Sequence, residues 1–422
     1  MISTRGRYAL RVMIDIAENS GGGFIPLDSI AARQNISKKY LERILTVLTR
    51  GNLLEGMRGK GGGYRLTREP KDYSVGDILR FTEGSLSPVA CLKEGAKPCA
   101  LRSECQTLPV WQGLYDVMTT YLDGVTLKEI MKISEILKKK RTLSFEVFPP
   151  KRDGAEELGK LLETIGELKA LSPDFISVTY GASGTNVRGA TEIAAHIKKF
   201  GLEPLAHVTG GPSSFKDIDA LLDKLDSIGA ENILALRGDR PAEYTADYCR
   251  DFAHATDLID YIGRRDFCLG AACYPEGHSE SQTLYADLEN LKKKRDCGAS
   301  FFITQMFYDN SYYYRLVNEA RRMGITEPII PGIMPLTSMK NIGRIKAMCG
   351  STIPIELRNM IEVYSACPEA MREVGINYAA YQITDLIAMG APGVHIYTMN
   401  RSENAVEICK RIKSVINEFF KS

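Results

Sequence analysis

The 422-residue chain has no hydrophobic run approaching the ~18 apolar residues of a membrane-spanning helix, and its amino terminus lacks the apolar stretch of a secretion signal. It is therefore expected to be cytoplasmic, with no membrane partner. Histidine is scarce, five in all, and the first is His196. No H-E-x-x-H helix and no serine nucleophile elbow occurs, and the glycines match neither G-x-x-x-x-G-K-[ST] nor G-x-G-x-x-G. These absences argue against a zincin, a serine hydrolase, a P-loop nucleotidase and a Rossmann dehydrogenase. Ten cysteines in a reducing compartment do not make a disulfide framework. Clustered ones point to metal, scattered ones to the core.

Charge is present in balance, at a net +2 overall, but it is unevenly placed. The first 80 residues carry +6 and the remainder −4. A basic amino-terminal module suits an acidic partner, double-stranded DNA above all. Its pattern agrees. Ile2 to Asn19 has a helical apolar stripe, Leu27 to Gln34 is a short helix, and Ser37 caps a third helix running to about Arg50. On that helix Tyr40, Leu41, Ile44, Leu45 and Leu48 face inward while Lys39, Arg43 and Arg50 share the other side. Leu53-Leu54-Glu55 and Tyr64-Arg65-Leu66 then bracket a glycine-rich basic tip holding Arg58 and Lys60, a hairpin. This is the order of a winged helix-turn-helix, with Lys39, Arg43, Arg58 and Lys60 the candidate DNA contacts. A solvated charged helix beside a flexible loop is the alternative.

Cys91, Cys99 and Cys105 follow in a polar loop, a C-x7-C-x5-C set that packing explains poorly, because free cysteine is usually buried. Ligation of an iron–sulfur cluster is the favoured account, with reactive or incidental thiols the other. A fourth ligand would be Glu104, another acid, a small thiol or a group from a partner chain. With these residues in view, Met1 to about Met131 resembles the IscR-type family of iron–sulfur winged-helix repressors. The likeness lies in Ser3-Thr4-Arg5-Gly6-Arg7-Tyr8-Ala9-Leu10, Ser37 to Arg50, Gly61-Gly62-Gly63-Tyr64 and the three cysteines. It implies a homo-oligomer, a dimer formed partly through the helix Pro109 to Leu122, with cluster state tuning DNA binding. Gln106-Thr107-Leu108 stands where some members have a histidine.

Residues 132–141 read as a junction, and Lys128 to Lys140 as one continuous helix. From Thr142 strand-like runs alternate with amphipathic helices. The runs begin near Leu143, Phe175, Leu205, Asn232, Cys268, Phe301, Ile329 and Gly393. The first six intervals are about the size of one βα unit. Eight such runs predict an α/β fold, a (β/α)8 TIM barrel over 142–422, preceded by the mainly α winged-helix domain of 1–131. A doubly wound sheet is the alternative, without its glycine fingerprint. Cys249, Cys268, Cys273, Cys297, Cys349, Cys367 and Cys409 are scattered along this part and read as core thiols.

In such a barrel the carboxyl ends of the strands carry the site. Those ends hold Glu146, Thr179, His207, Arg237-Gly238-Asp239, Tyr274-Pro-Glu-Gly-His278, Gln305 and Tyr397-Thr-Met-Asn-Arg401. An acid, a second acid beside an arginine, and a surround of donors and aromatics suit a planar cofactor. Taken singly, Arg237 and Asp239 could be a loop ion pair, and His207 and His278 structural histidines. Thr142 to Phe420 resembles the methylenetetrahydrofolate reductase family. The matching motifs are Ser144-Phe-Glu-Val-Phe-Pro-Pro150, Val178-Thr-Tyr-Gly181, Leu236-Arg-Gly-Asp239, Tyr274 to His278, Asp287-Leu-Glu-Asn-Leu-Lys292, Ile303-Thr-Gln305 and Tyr397 to Arg401.

The resemblance implies FAD as cofactor, NAD(P)H or another electron donor, and reduction of 5,10-methylenetetrahydrofolate to 5-methyltetrahydrofolate. It places Thr179, His207, Arg237, Gly238, Asp239, Tyr244, Tyr274, His278, Asp287, Asn290 and Lys294 around the FAD, Arg237 and Lys294 at its pyrophosphate. Gln305 and Arg401 would hold the folate with Glu146, and Met339 falls where some members stack an aromatic. Glu146 and Asp239 are the catalytic pair. Opening the folate ring needs a proton, which a carboxylic acid supplies at neutral pH only if desolvation beside Phe145, Phe148 and the flavin raises its pKa. Asp239, kept ionised by Arg237, would stabilise the cationic intermediate. The rival reading is a regulator that keeps the barrel as a folate or flavin sensor without turnover. Met131 could also be a translational start.

Overall fold

A computed structural model describes residues 2–19, 23–59, 61–93, 95–97, 99, 101–150, 154–179, 187–211, 213–238, 251–338 and 351–420. The chain divides into two compact units, Met1–Lys132 and Ile133–Ser422.

The first unit runs α1 (Thr4–Asn19), α2 (Leu27–Gln34), α3 (Lys38–Arg50), β1 (Leu54–Met57), β2 (Gly63–Leu66), α4 (Val75–Glu83), α5 (Leu108–Gly124) and α6 (Leu127–Ile130). Apolar residues at helical spacing gather Val12, Met13 and Ile16 of α1, Ile30 of α2 and Leu41, Ile44, Leu45 and Leu48 of α3 into one core. Asp15 is buried against that core, and a buried carboxylate must be paired. Arg33 meets it at 2.7 Å and the Gln34 amide donates to it at 2.9 Å, which fixes α2 on α1. The hairpin pairs Leu54 with Leu66 through Met57 with Gly63. Ile25 and Tyr64 exchange two backbone hydrogen bonds of 2.9 Å along its edge. A Cβ on Gly63 would lie 2.1 Å from the Ile25 carbonyl oxygen, so only glycine lets this third segment close up. The winged helix-turn-helix expected from the sequence is formed.

The second unit opens with α7 (Ile133–Lys139), so the stretch expected as one helix is two. The break falls at Met131-Lys132, and the Ile133 amide donates to the side-chain oxygen of Asn232 at 2.9 Å instead of to a preceding turn. Then come β3 (Thr142–Val147), α8 (Ala155–Lys169), β4 (Phe175–Val178), α9 (Val187–Lys199), β5 (Glu203–Thr209), α10 (Phe215–Ser227) and β6 (Asn232–Leu236). They are followed by α11 (Ala255–Ile262), β7 (Cys268–Cys273), α12 (Leu284–Asp296), β8 (Phe301–Thr304), α13 (Asn310–Arg322), β9 (Ile329–Ile330), β10 (Gly332–Ile333) and β11 (Gly393–Tyr397).

The sheet order is β10-β11-β3-β4-β5-β6-β7-β8-β9, and each pairing along it is parallel. Its two ends, β9 and β10, flank Pro331, so the expected seventh run is one stretch split where proline offers no N–H. The near half pairs with β8 and the far half with β11, which closes the ring into a (β/α)8 barrel. A Cβ on Gly332 would lie 2.4 Å from the Thr304 carbonyl oxygen and 2.7 Å from the Tyr397 hydroxyl, so the seam admits only glycine.

Strand alternation sorts the barrel's side chains. Phe145, Val147, Ile176, Val178, Ala206, Val208, Ile233 and Ala235 face the helices. Their neighbours point inward. Phe175, Leu205, Leu234, Cys268, Phe301, Ile303 and Ile330 make an apolar floor with Ile133 and Leu137 of α7. The residues expected as a junction thus supply part of the barrel core. Of the cysteines read as core thiols, Cys268, Cys273 and Cys409 are buried and Cys297 is half-buried. Cys367 is exposed, because it caps the helix Pro368–Ala388 from outside. Cys249 and Cys349 lie outside the described residues. Among the described residues, no helix is long and apolar enough to cross a membrane.

Candidate active site

Glu146 is the last inward position of β3, paired in register with Ser177 of β4 and Tyr397 of β11. It is 6% exposed, and its backbone carbonyl accepts a hydrogen bond of 2.6 Å from the Thr398 hydroxyl. Burial pushes its pKa up to about 8, opposed by a hydrogen bond with Ser177. The carboxyl is therefore protonated at neutral pH. The reason differs from the expected one: Phe145 faces the helices, on the opposite side of the strand, and the desolvating surround is the barrel interior.

His207 of β5 faces the same carboxyl, with 3.6 Å from its Nε2 to Glu146 Oε2. Burial lowers its pKa to about 3, so this is a contact between two neutral groups and not a salt bridge. Beneath Glu146 lies a polar group that the sequence reading did not single out. His395 of β11 approaches Ser144 Oγ at 2.9 Å through Nδ1 and Ser177 Oγ at 3.3 Å through Nε2. Burial and nearby His207 lower its pKa to about 3 as well. The available signal was a histidine at an inward position of Gly393-Val-His-Ile-Tyr397, flanked by apolar neighbours.

Around the rim the structure brings the other candidates together. Arg237 follows β6 directly and forms a two-pronged ion pair with Glu280, at 2.6 and 2.8 Å. Lys294 of α12 donates to the Ala272 carbonyl at 2.8 Å and sits 5.8 Å from the centre of the Tyr274 ring, its pKa lowered by burial. Tyr274 and His278 pack edge to face at 4.6 Å. Asp287 accepts from the His278 amide at 3.3 Å and the Ser281 hydroxyl at 3.1 Å, which holds the Tyr274–Ser281 loop against α12. Asn290 is exposed one turn on, within 3.4 Å of Lys293. Gly238 follows Arg237 with φ 89°, a left-handed conformation that suits glycine.

Gln305 follows β8, and its side-chain oxygen accepts from the Met306 amide at 2.9 Å. Arg401 is exposed beyond β11, after a turn in which Met399 and Asn400 have φ of 53° and 57°. Asn400 both donates to and accepts from the Phe148 backbone at 2.8 Å, clamping the ends of β3 and β11 together. Two buried polar atoms face this rim without a hydrogen-bond partner among the described residues, Thr179 Oγ1 and His207 Nε2. Unsatisfied buried groups at a strand-end rim fit a ligand that completes them. Asp239, Tyr244 and Met339 lie outside the described residues.

In the first unit, Lys39 and Arg43 are exposed on α3 and Arg58 on the hairpin tip. Lys60 is outside the described residues. Cys91 and Cys105 are half-buried and Cys99 is exposed. Among the described residues no group of three or more His, Cys, Asp or Glu side chains is placed to hold a metal ion.

Fold and site together define the class: a winged helix-turn-helix unit followed by a (β/α)8 barrel whose rim centres on a buried, protonated carboxyl. Comparison with known proteins narrows it. A family profile described as methylenetetrahydrofolate reductase matches residues 130–413, and one described as iron-dependent transcriptional regulator matches residues 2–133. The chain belongs to the methylenetetrahydrofolate reductase family, with a regulator-family unit at its amino end. It is 34% identical over 299 residues to methylenetetrahydrofolate reductase (NADH) 1 of Arabidopsis thaliana, covering 67% of this chain and 50% of that one. It thus spans about half the length of that plant relative. It is 36% identical over 276 residues to 5,10-methylenetetrahydrofolate reductase of Escherichia coli, covering 63% of this chain and 89% of the bacterial one. The structure of CymR, the global cysteine regulator of B. subtilis, is 37% identical, covering 31% of this chain and 95% of that one, with a TM-score of 0.26.

Proposed function

We propose that the second unit reduces 5,10-methylenetetrahydrofolate to 5-methyltetrahydrofolate with FAD as its cofactor. The observation that carries this reading is Glu146, a carboxyl held protonated at neutral pH at the carboxyl end of a barrel strand. Bound FAD would supply hydride transfer, taken from NAD(P)H or another donor. Arg237 and Lys294 would hold its pyrophosphate, Tyr274, His278, Asp287 and Asn290 its nucleotide end, and Thr179 and His207 its remaining polar edges. Gln305 would turn its amide from Met306 to the pterin, and Arg401 would meet the folate's carboxylates. Met339 would be among the residues that contact the substrate. Glu146 gives its proton to a folate nitrogen as the ring opens, and the apolar floor below it excludes water from that transfer. Asp239, next after Gly238, would offset the positive charge that results, and Tyr244 would be among the residues that hold the FAD.

The first unit binds double-stranded DNA in this reading, α3 in the major groove through Lys39 and Arg43 and the hairpin on the backbone through Arg58 and Lys60. Val110, Leu114, Val117 and Tyr121 are 65, 48, 70 and 69% exposed on one face of α5. An apolar stripe of this spacing supports a dimer through the same helix of a second copy. Cys91, Cys99 and Cys105 would hold an iron–sulfur cluster in this reading, and no step is assigned to it.

The test is an absorbance spectrum of anaerobically purified protein followed by turnover with methylenetetrahydrofolate. A flavin spectrum bleached by donor and restored by folate is expected. Flavin that folate does not reoxidise would favour a sensor, and Cys99→Ala should remove any iron-derived colour while leaving the flavin bands.

A further inference from the structure

β11 runs in register with β3 as far as Tyr397 opposite Glu146, and there it leaves the sheet. The backbone turns away through Met399 and Asn400, whose φ of 53° and 57° put two successive side-chain-bearing residues in the left-handed region. Residues with a Cβ resist that region, so the surroundings must hold them in it. Side chains do this. The Thr398 hydroxyl donates to the Glu146 carbonyl at 2.6 Å and accepts from the Asn400 amide at 3.2 Å. The Asn400 side chain accepts from the Phe148 amide and donates to the Phe148 carbonyl, both at 2.8 Å. One carboxamide thus stands in for the peptide that β11 would have set beside β3, and it carries the ladder past Glu146. The ladder goes no further, because Pro149 and Pro150 have no N–H to give.

Arg401 follows this turn directly and is held on both sides. Its own amide donates to the Thr398 carbonyl at 3.0 Å. Beyond it, the Ser402 hydroxyl donates to Glu167 of α8 and the Asn404 side chain accepts from Arg372 at 2.8 Å, which anchors the start of the helix Ser402–Arg411. The Arg401 backbone therefore has a set place relative to the end of β3, while its side chain is exposed. We propose that Asn400 is a positioning residue: by locking the end of β3 to this turn, it fixes the separation of the acid Glu146 from the substrate-binding Arg401. Its chemistry suits the task. Aspartate has no hydrogen for the Phe148 carbonyl, and alanine offers neither bond. A proton passes from acid to bound substrate only when the two are set at one distance, so the lock matters most in that step. The roles of Glu146 and Arg401 rest on the reductase reading; the lock itself does not.

The experiment uses the full-length protein and two variants. Asn400→Gly keeps the left-handed turn at no steric cost and removes both bonds to Phe148. Asn400→Asp keeps the shape but sets an acceptor-only oxygen against the Phe148 carbonyl, which opens the lock by repulsion. Hydrogen exchange at the Phe148 amide should quicken about tenfold in Asn400→Gly, the equivalent of one lost hydrogen bond. In stopped flow, reduction of flavin by the donor should be unchanged. The limiting rate of reoxidation by methylenetetrahydrofolate should fall ~10- to 100-fold, and the half-saturating concentration should rise. Arg401→Ala alone should raise that concentration, and adding Asn400→Gly should raise it no further while still lowering the limiting rate. General loosening of the barrel would instead depress both half-reactions. An unchanged limiting rate in a folded Asn400→Gly protein, equal losses in both half-reactions, or effects on concentration that simply add, each overturns the proposal. Should Asn400→Gly not fold, Asn400→Asp takes its place on every criterion. Flavin that folate never reoxidises in the unaltered protein would sink the reductase reading, and the exchange rate then decides alone: faster upholds the lock, unchanged overturns it.

Discussion

At the scale of single residues, two carboxylates near the rim do opposite things because their surroundings differ. Glu146 has neutral partners among the described residues and keeps its proton, while Glu280 is half exposed and meets the Arg237 guanidinium with both oxygens. Glu146→Gln preserves shape and removes the acid. Reduction of flavin by the donor should persist, and its reoxidation by methylenetetrahydrofolate should slow by ~10²-fold or more, as for other lost general acids. Stopped-flow traces of the two half-reactions measure this; reoxidation at the unaltered rate would make Glu146 structural. Glu280 occupies the two donors that an anionic cofactor group would use. Glu280→Gln should tighten FAD binding by a factor of about 5, the equivalent of a half-exposed ion pair worth ~1 kcal/mol, in a fluorescence titration of the apoprotein. Weaker binding would mean that the pair braces the loop instead.

At the scale of elements, α3 and the hairpin carry the DNA prediction. Lys39→Ala should reduce the slope of log affinity against log salt by about one, because one fewer phosphate charge is neutralised. An unchanged slope would place Lys39 off the duplex. Most of the elements were legible because their periods are clean, 3.6 in α3 and 2 in β3. The strand ends were legible too, since barrel topology puts chemistry there whatever the loops do. What was not legible has specific causes. Pro331 sits inside an apolar run, and only the ring closure explains why it is tolerated. The break before Ile133 depends on Asn232, far along the chain, whose side chain takes the amide. Phe145 seemed to flank Glu146 because neighbours in sequence point to opposite faces of a strand. His395 went unnoticed because its partners, Ser144 and Ser177, come from two other strands and are unremarkable in sequence.

At the scale of the whole molecule, the buried ionisable groups of the barrel set a pH profile for its stability. Glu146 has its pKa raised from 4.5 to about 8 in the folded state. Its contribution is complete below 4.5 and is lost as pH rises towards 8, since the folded state then gives up a proton it holds more tightly. His207 and His395 have theirs lowered from 6.5 to about 3. Their contribution is present above 6.5 and is lost as pH falls towards 3, because the unfolded chain takes up protons first. The second unit should therefore be most stable near pH 6.5. Thermal melts across that range should show Glu146→Gln flattening the alkaline limb and leaving the acid limb in place. A wild-type melting point that does not fall between pH 6.5 and 8 would contradict the neutral-acid state of Glu146.

The floor of the barrel is laid down before its first strand. Ile133 and Leu137 reach the ribosome's exit ahead of every strand they will seal, and the set of side chains they bury against is complete only once Ile330 has been made. A gene fragment cut at Thr142, where the first strand starts, would encode all the barrel's strands yet no stopper for its lower end. Leu137→Ala imitates a small part of that loss and should cost about 3 kcal/mol in urea unfolding of the second unit. A fragment opening at Met131 retains the stopper, so of two excisions only eleven residues apart in their starting points, the longer should yield a cooperative, monodisperse barrel and the shorter should precipitate.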